Sequence, residues 1–169
     1  MGYSLSIPWK QSMAEKLHII CPNCNATNSV PRDRLRNGGK CGRCHRPLFD
    51  EKPATLDDPA RFTKQVEASD IPVLVDFSAD WCAACHALAP IFQEATVALE
   101  PEIRAVKVDV DKAPEIAARY AIRSVPTLAL FLHGRELDRM AGLIPLHQLL
   151  SWTRQHLQPQ TAQPSAAQS

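Results

Sequence analysis

Residues 73–85 read Val-Leu-Val-Asp-Phe-Ser-Ala-Asp-Trp-Cys-Ala-Ala-Cys, an apolar run broken by one acid and closed by two cysteines with two residues between them. The run at 72–77 predicts a central strand covered on both faces, because a strand with one wet face would alternate apolar and polar positions. Beyond it the period lengthens and predicts a helix over 82–99, kinked where Pro90 removes a backbone donor. Cys82 therefore stands in the first turn of a helix that follows a buried strand. Unpaired N–H groups and the positive end of the helix dipole lower a thiol's pKa there, and the thiolate is the species that attacks disulfides. Cys85, one turn further in, is placed to displace whatever becomes bonded to Cys82. Cys82 is read as the nucleophile and Cys85 as the resolving thiol.

Outward from this stretch the pattern keeps alternating. A helix is expected over 59–69, with Asp58 as N-cap and Phe62 and Val66 sharing a face. Strands are expected at 103–108 and 127–132, and a helix at 113–120 lies between them. His133-Gly134-Arg135 turns the chain into a hairpin partner at 136–141. An amphipathic helix over 146–157 closes the pattern, and an extra short strand is expected at 54–57. Helix, strand, helix, strand, helix, strand, strand, helix gives an α/β class with a mixed sheet and helices on both faces.

The other four cysteines form Cys-x2-Cys-x16-Cys-x2-Cys from Cys21, Cys24, Cys41 and Cys44. That spacing suits a zinc ribbon, in which each pair sits on a turn and four sulfurs complete a tetrahedron. Two disulfides or an iron–sulfur cluster are the alternatives. Zinc is favoured by the spacing and by a reducing compartment, where paired cysteines more often bind metal or act in catalysis. Four protein ligands leave no open position, so one structural Zn²⁺ is expected, with His45 an unneeded fifth candidate. Chelation is expected to unfold this module and spare the rest. The organisation expected is an extension at 1–17, a ribbon at 18–50, a redox domain at 51–157 and a disordered tail at 158–169 rich in Gln, Ala, Pro and Ser.

Composition narrows the partners. The 169 residues carry 19 basic and 18 acidic side chains. In the ribbon, Arg32, Arg34, Arg36, Lys40, Arg43 and Arg46 stand against Asp33 and Asp50, and four thiolates around Zn²⁺ would cut that excess by two. This is a weak nucleic-acid signal, and no nucleic-acid partner is expected. No stretch approaches the roughly 20 apolar residues that cross a membrane, and no secretory leader is evident, so no membrane partner and a cytoplasmic location are expected.

Trp81-Cys-Ala-Ala-Cys85 with the strand before it, Pro90, Lys107-Val-Asp109 and Arg123-Ser-Val-Pro-Thr127 resemble thioredoxin in order and spacing, over about residues 55–157. Lys40-Cys-Gly-Arg-Cys44 and Pro47-Leu-Phe-Asp50 extend the likeness to about 18–157, where the chain resembles the bacterial zinc-ribbon thioredoxins of the thioredoxin-2 type. The resemblance implies a thioredoxin fold and a protein-disulfide reductase cycling Cys82 and Cys85 between dithiol and disulfide. Its partners would be disulfide-containing proteins and a thioredoxin reductase. Asp76 would be the buried acid that assists proton movement at Cys85, with Lys107 beside it. Pro126 would follow a cis bond, and Trp81, Val125, Pro126 and Gly142 would line the substrate-docking surface. Two departures stand out: Ala83-Ala84 replaces the family's Gly-Pro, and Ser78 replaces an aromatic. A pair less reducing than the family's usual one is expected, and in the extreme an isomerase-like thioredoxin. The competing reading is a redox-regulated adaptor or chaperone that binds through the ribbon. His86 is expected to be a surface residue pointing away from position 82.

Overall fold

The computed structural model describes residues 15–157. Residues 1–14 and 158–169, which hold most of the expected extension and all of the expected tail, lie outside the described residues.

Two sheets organise the chain. Strands β1 (Lys16–Ile20) and β2 (Thr27–Pro31) form an antiparallel hairpin, followed by a 3-10 turn at Arg32–Arg34. Strands β3 (Ala54–Thr55), β4 (Val73–Ser78), β5 (Arg104–Asp109), β6 (Thr127–Leu132) and β7 (Arg135–Ala141) form a mixed sheet in the order β3-β5-β4-β6-β7. Helices α1 (Pro59–Ala68) and α3 (Pro114–Arg119) contribute to one apolar layer, and α2 (Ala83–Leu99) and α4 (Leu146–Leu157) to the other. This is the thioredoxin architecture expected from the sequence. The strand expected at 54–57 is present but shorter, pairing parallel to β5.

β4 is central, parallel to β5 and antiparallel to β6, and its residues 73–77 are all buried. Alternate side chains therefore enter opposite layers. Leu74 joins Leu88, Phe92, Leu99, Leu149 and Trp152, whereas Val73, Val75 and Phe77 join Phe62, Val66, Val106 and Phe131. Asp58 caps α1 as expected, accepting the Arg61 N–H at 2.8 Å. α2 runs through Pro90 without interruption. It starts one residue later than expected, because Cys82 is in extended conformation and serves as N-cap.

The hairpin starts at Lys16, two residues inside the expected extension, because Leu17 is a buried member of the ribbon's small core. That core also contains Leu48, Cys21, Cys41 and, from the other unit, Ile71. The ribbon is therefore docked. His18 N–H donates to the Asp70 carboxylate at 2.7 Å and Asp70 N–H donates to the His18 carbonyl at 3.0 Å. Gln65 donates to the Ile20 carbonyl at 3.2 Å, and Arg61 donates to the Pro22 carbonyl.

Arg104 is the centre of the joint. It opens β5, is 1% exposed, donates to the Leu48 carbonyl at 2.6 Å and the Ile20 carbonyl at 3.4 Å, and lies 4.3 Å from the Phe49 ring centre. Its charge is matched by Glu100, 3.6 Å away and equally buried. Burial pushes the Glu100 carboxyl up to about 7, against the downward pull of Arg104. These contacts gather at the N-terminal ends of β4 and β5, whereas Cys82 follows the C-terminal end of β4. Six residues of strand, about 20 Å, separate the two ends.

Arg104→Ala would remove the guanidinium from two ribbon carbonyls and strand Glu100 in an apolar seat. A stability loss of about 3 kcal/mol is expected in urea unfolding. Arg104→Met combined with Glu100→Gln, which removes both charges, should recover part of it.

Candidate functional site

Cys82 and Cys85 are joined as a disulfide, with Cα atoms 5.2 Å apart. The short Ala79-Asp80-Trp81 turn after β4 delivers Cys82 to the N-cap, closed by the Cys82 N–H donating to the Ala79 carbonyl at 3.2 Å. Cys82 Sγ accepts the Cys85 N–H at 3.1 Å and lies 3.6 Å from the Val125 carbonyl oxygen. Ala79, Ala84, Val110 and Val125 pack around the pair. In the disulfide both residues are nearly covered, 6% and 5% exposed.

The surface beside the pair is assembled from distant segments. Trp81 is 72% exposed rather than core, and its indole N–H donates to Asp111 at 2.9 Å. The Val125–Pro126 bond is cis. Gly142 N–H donates to the Pro126 carbonyl at 2.9 Å, and Gly142 takes a φ of +94°, a conformation glycine adopts without a Cβ penalty. Leu143, the next residue along the chain, is half exposed. Trp81, Val125, Pro126 and Gly142 thus belong to the loops around one disulfide.

Asp76 sits on β4 with its Cα in register with Lys107 on β5. It is 1% exposed, and neither carboxylate oxygen has a hydrogen-bond partner among the described residues. Burial pushes its carboxyl up to about 6, while the Lys107 charge pulls it down. An acid in that range can hold or release a proton near neutral pH.

At the other end, four sulfurs converge. Cys21, Cys24, Cys41 and Cys44 are not disulfide-bonded, and their sulfurs all lie within 4.8 Å of one another. Cys21 to Cys44 and Cys24 to Cys41 are each 3.6 Å apart. A tetrahedral ion with bonds of about 2.3 Å to sulfur has edges of about 3.8 Å, so the four fit one ion. The two turns repeat one geometry. Asn25 and His45 both take a left-handed φ, and their N–H groups donate back to the carbonyls of Cys21 and Cys41. Asn23 N–H points at Cys21 Sγ and Arg43 N–H at Cys41 Sγ, each at 3.4 Å. His45 is thereby explained as a turn residue, exposed and outside the cluster. The Cys41 thiol is held down at about 6, first by the Cys44 N–H, with the Arg43 N–H and the Asn28 side chain adding to it against burial. Such a sulfur is a thiolate at neutral pH, the form that binds metal.

Residues 53–155 match the family model Thioredoxin, and residues 20–46 match the model for the thioredoxin 2 N-terminal region, a zinc ribbon. The chain belongs to the thioredoxin family. Thioredoxin C-3 of Corynebacterium nephridii is 36% identical over 142 residues, which cover 84% of this chain and 97% of that protein. The thioredoxin of Rickettsia bellii is 41% identical over 96 residues, 57% of this chain and 91% of its own length. Among solved structures, a thioredoxin variant from Halobacterium salinarum superposes with a TM-score of 0.58 at 29% identity, covering 65% of this chain and 95% of that one. The thioredoxin of Malassezia sympodialis gives 0.57 at 30% identity, covering 62% and 90%. The chain is accordingly a thioredoxin-type thiol–disulfide oxidoreductase that carries a ribbon module ahead of its redox domain.

Several residues at these sites escaped sequence reasoning. Asp111 holds Trp81, and Glu100 with Arg104 joins the two units. Glu100 lies only four residues from Arg104, but Asp111 is 30 residues from Trp81 and the ribbon carbonyls of Leu48 and Ile20 are 56 and 84 residues from Arg104, too far for a local pattern to mark. His86 is exposed as expected, and its ring reaches the Asp80 carbonyl at 2.6 Å.

Raised from 3.8 to about 6, the Asp76 carboxyl binds its proton more tightly in the folded chain than in the unfolded one. Stability is therefore lost as pH rises from about 4 to 6 and stays reduced above that. Asp76→Asn should stabilise the oxidised protein at pH 7 by up to about 3 kcal/mol, the gain disappearing near pH 4 in urea titrations.

Proposed function

We propose that this thioredoxin reduces protein disulfides through Cys82 as nucleophile and Cys85 as resolving thiol. The observation that carries this reading is the Cys82 sulfur at the N-cap of α2, in reach of the Cys85 N–H and bordered by Val125, cis Pro126 and exposed Trp81. In the reduced protein the Cys82 thiolate attacks one sulfur of a substrate disulfide. A mixed disulfide forms and the other substrate sulfur leaves as a thiolate. Cys85, giving its proton to Asp76, then attacks Cys82 Sγ, forms the Cys82–Cys85 bond and releases the second substrate thiolate. Two electrons pass from the pair to the substrate. A thioredoxin reductase drawing on NADPH would return them.

Asp76 suits the proton step because its carboxyl titrates near 6 and lacks any fixed donor. Lys107 would limit how far that value rises. Trp81, Val125, Pro126 and Gly142 would receive the substrate chain, the Val125 and Pro126 backbone offering an edge for pairing.

One Zn²⁺ would be held by Cys21, Cys24, Cys41 and Cys44, supplying a structural crosslink for a module with a small core of its own. Thiolate ligands persist best in a reducing compartment, which supports a cytoplasmic setting. Among the described residues no helix is long and apolar enough to cross a membrane.

Insulin reduction tests the catalytic roles. Cys82→Ser should fall to background, and Cys85→Ser should accumulate a mixed disulfide at Cys82. Activity of Cys82→Ser equal to wild type would remove the nucleophile assignment. Metal analysis should find about one zinc per chain. Because Arg104 and Ile71 are buried by the ribbon, chelation should lower the urea midpoint of the whole chain, in place of sparing the redox domain as the sequence alone led us to expect.

A further inference from the structure

The first turn of α2 lacks two common restraints. Ala83-Ala84 carries no proline to fix a backbone dihedral between the cysteines, and Pro90 cannot donate to the carbonyl of His86, four residues earlier. The loop leading into that turn must be held by other means. Trp81 is tied to Asp111, and the Cys82 N–H to the Ala79 carbonyl. Asp80, between them, is exposed and belongs to neither bond.

His86 supplies the third tie. Side chains on a helix lean toward its N-terminus. The ring of His86 accordingly reaches back past the start of α2, and its Nε2 lies 2.6 Å from the Asp80 carbonyl oxygen. A carbonyl only accepts, so Nε2 carries the hydrogen and the imidazole is the donor. The His86 N–H meanwhile donates to the Cys82 carbonyl at 3.2 Å. One residue thus clasps the chain on both sides of Trp81.

We propose that His86 is a positioning residue for the redox pair, fixing the Asp80-Trp81-Cys82 turn by donating from its imidazole to the Asp80 carbonyl. It touches neither sulfur nor substrate. Its effect passes through the turn: the Cys85 N–H stabilises the Cys82 thiolate only while Cys82 Sγ stays at the N-cap, 3.1 Å from that donor. Released at Asp80, the turn would let Cys82 spend part of its time out of reach. The inference rests on the reading of Cys82 as nucleophile.

The test is the pH dependence of iodoacetamide alkylation at Cys82 in the reduced, zinc-loaded full chain, with the adduct located by mass spectrometry. Wild type, His86→Ala and His86→Gln are compared, since glutamine keeps an N–H donor at similar reach without an imidazole. The half-maximal pH for His86→Ala should rise by about half to one unit, a roughly three- to tenfold loss of thiolate below the midpoint. His86→Gln should recover at least half of that shift. The reduction potential of His86→Ala against glutathione should become more negative, because its reduced form has lost thiolate stabilisation. A depressed wild-type midpoint that His86→Ala leaves unmoved overturns this inference alone, as does a His86→Gln midpoint equal to that of His86→Ala. A wild-type midpoint at the ordinary thiol value of about 8.5 overturns the nucleophile assignment and this inference with it.

Discussion

The Cys85 N–H is free to approach the Cys82 sulfur because α2 begins at Ala83 and its first donors have no helical partners. Everything on the redox face is arranged to keep that sulfur at that place. β4 is anchored by neighbours on both edges and by apolar layers on both faces, so its C-terminal end is a fixed point. A short turn carries the chain from that point to the N-cap. The Val125 carbonyl lies beside the same sulfur. Asp76 is a cost the strand carries, since burial without a hydrogen-bond partner disfavours the ionised form.

The second site obeys the same rule with different means. In the ribbon, backbone N–H groups again point at sulfur, here from two turns related by repeated left-handed residues at Asn25 and His45. Neutral donors around sulfur suit the metal binding proposed in one place and the nucleophilicity proposed in the other. The distinction lies in coordination. Four converging sulfurs would saturate an ion, whereas the single pair sits beside the exposed Trp81. The two cysteine sets stand at opposite ends of β4.

Elements with strong local patterns were legible within one or two residues. The apolar run of β4, the Asp58 cap and the closing helix at Leu146–Leu157 each follow from neighbours in sequence. The six cysteines separated correctly into four and two because spacing is itself local information. What sequence did not disclose depends on contacts between remote segments. Arg104 reads as an unremarked strand residue, yet its partners are Glu100, Leu48 and Ile20, the last two from the other unit. The start of β1 at Lys16 was hidden because the burial of Leu17 depends on a core completed by Ile71. Cys82 was placed inside the helix rather than at its cap, a difference of one residue that turns a side chain near the dipole into a direct acceptor.

The buried guanidinium at the head of β5 also ties the two units to one another. A chain trimmed to its catalytic half would present Ile71, Arg104 and the Glu100 carboxyl to water as a scar fitted to a missing neighbour. Shedding the ribbon would therefore demand fresh surface residues at those positions, so the module behaves as an integral wall of the protein and not as a detachable appendage.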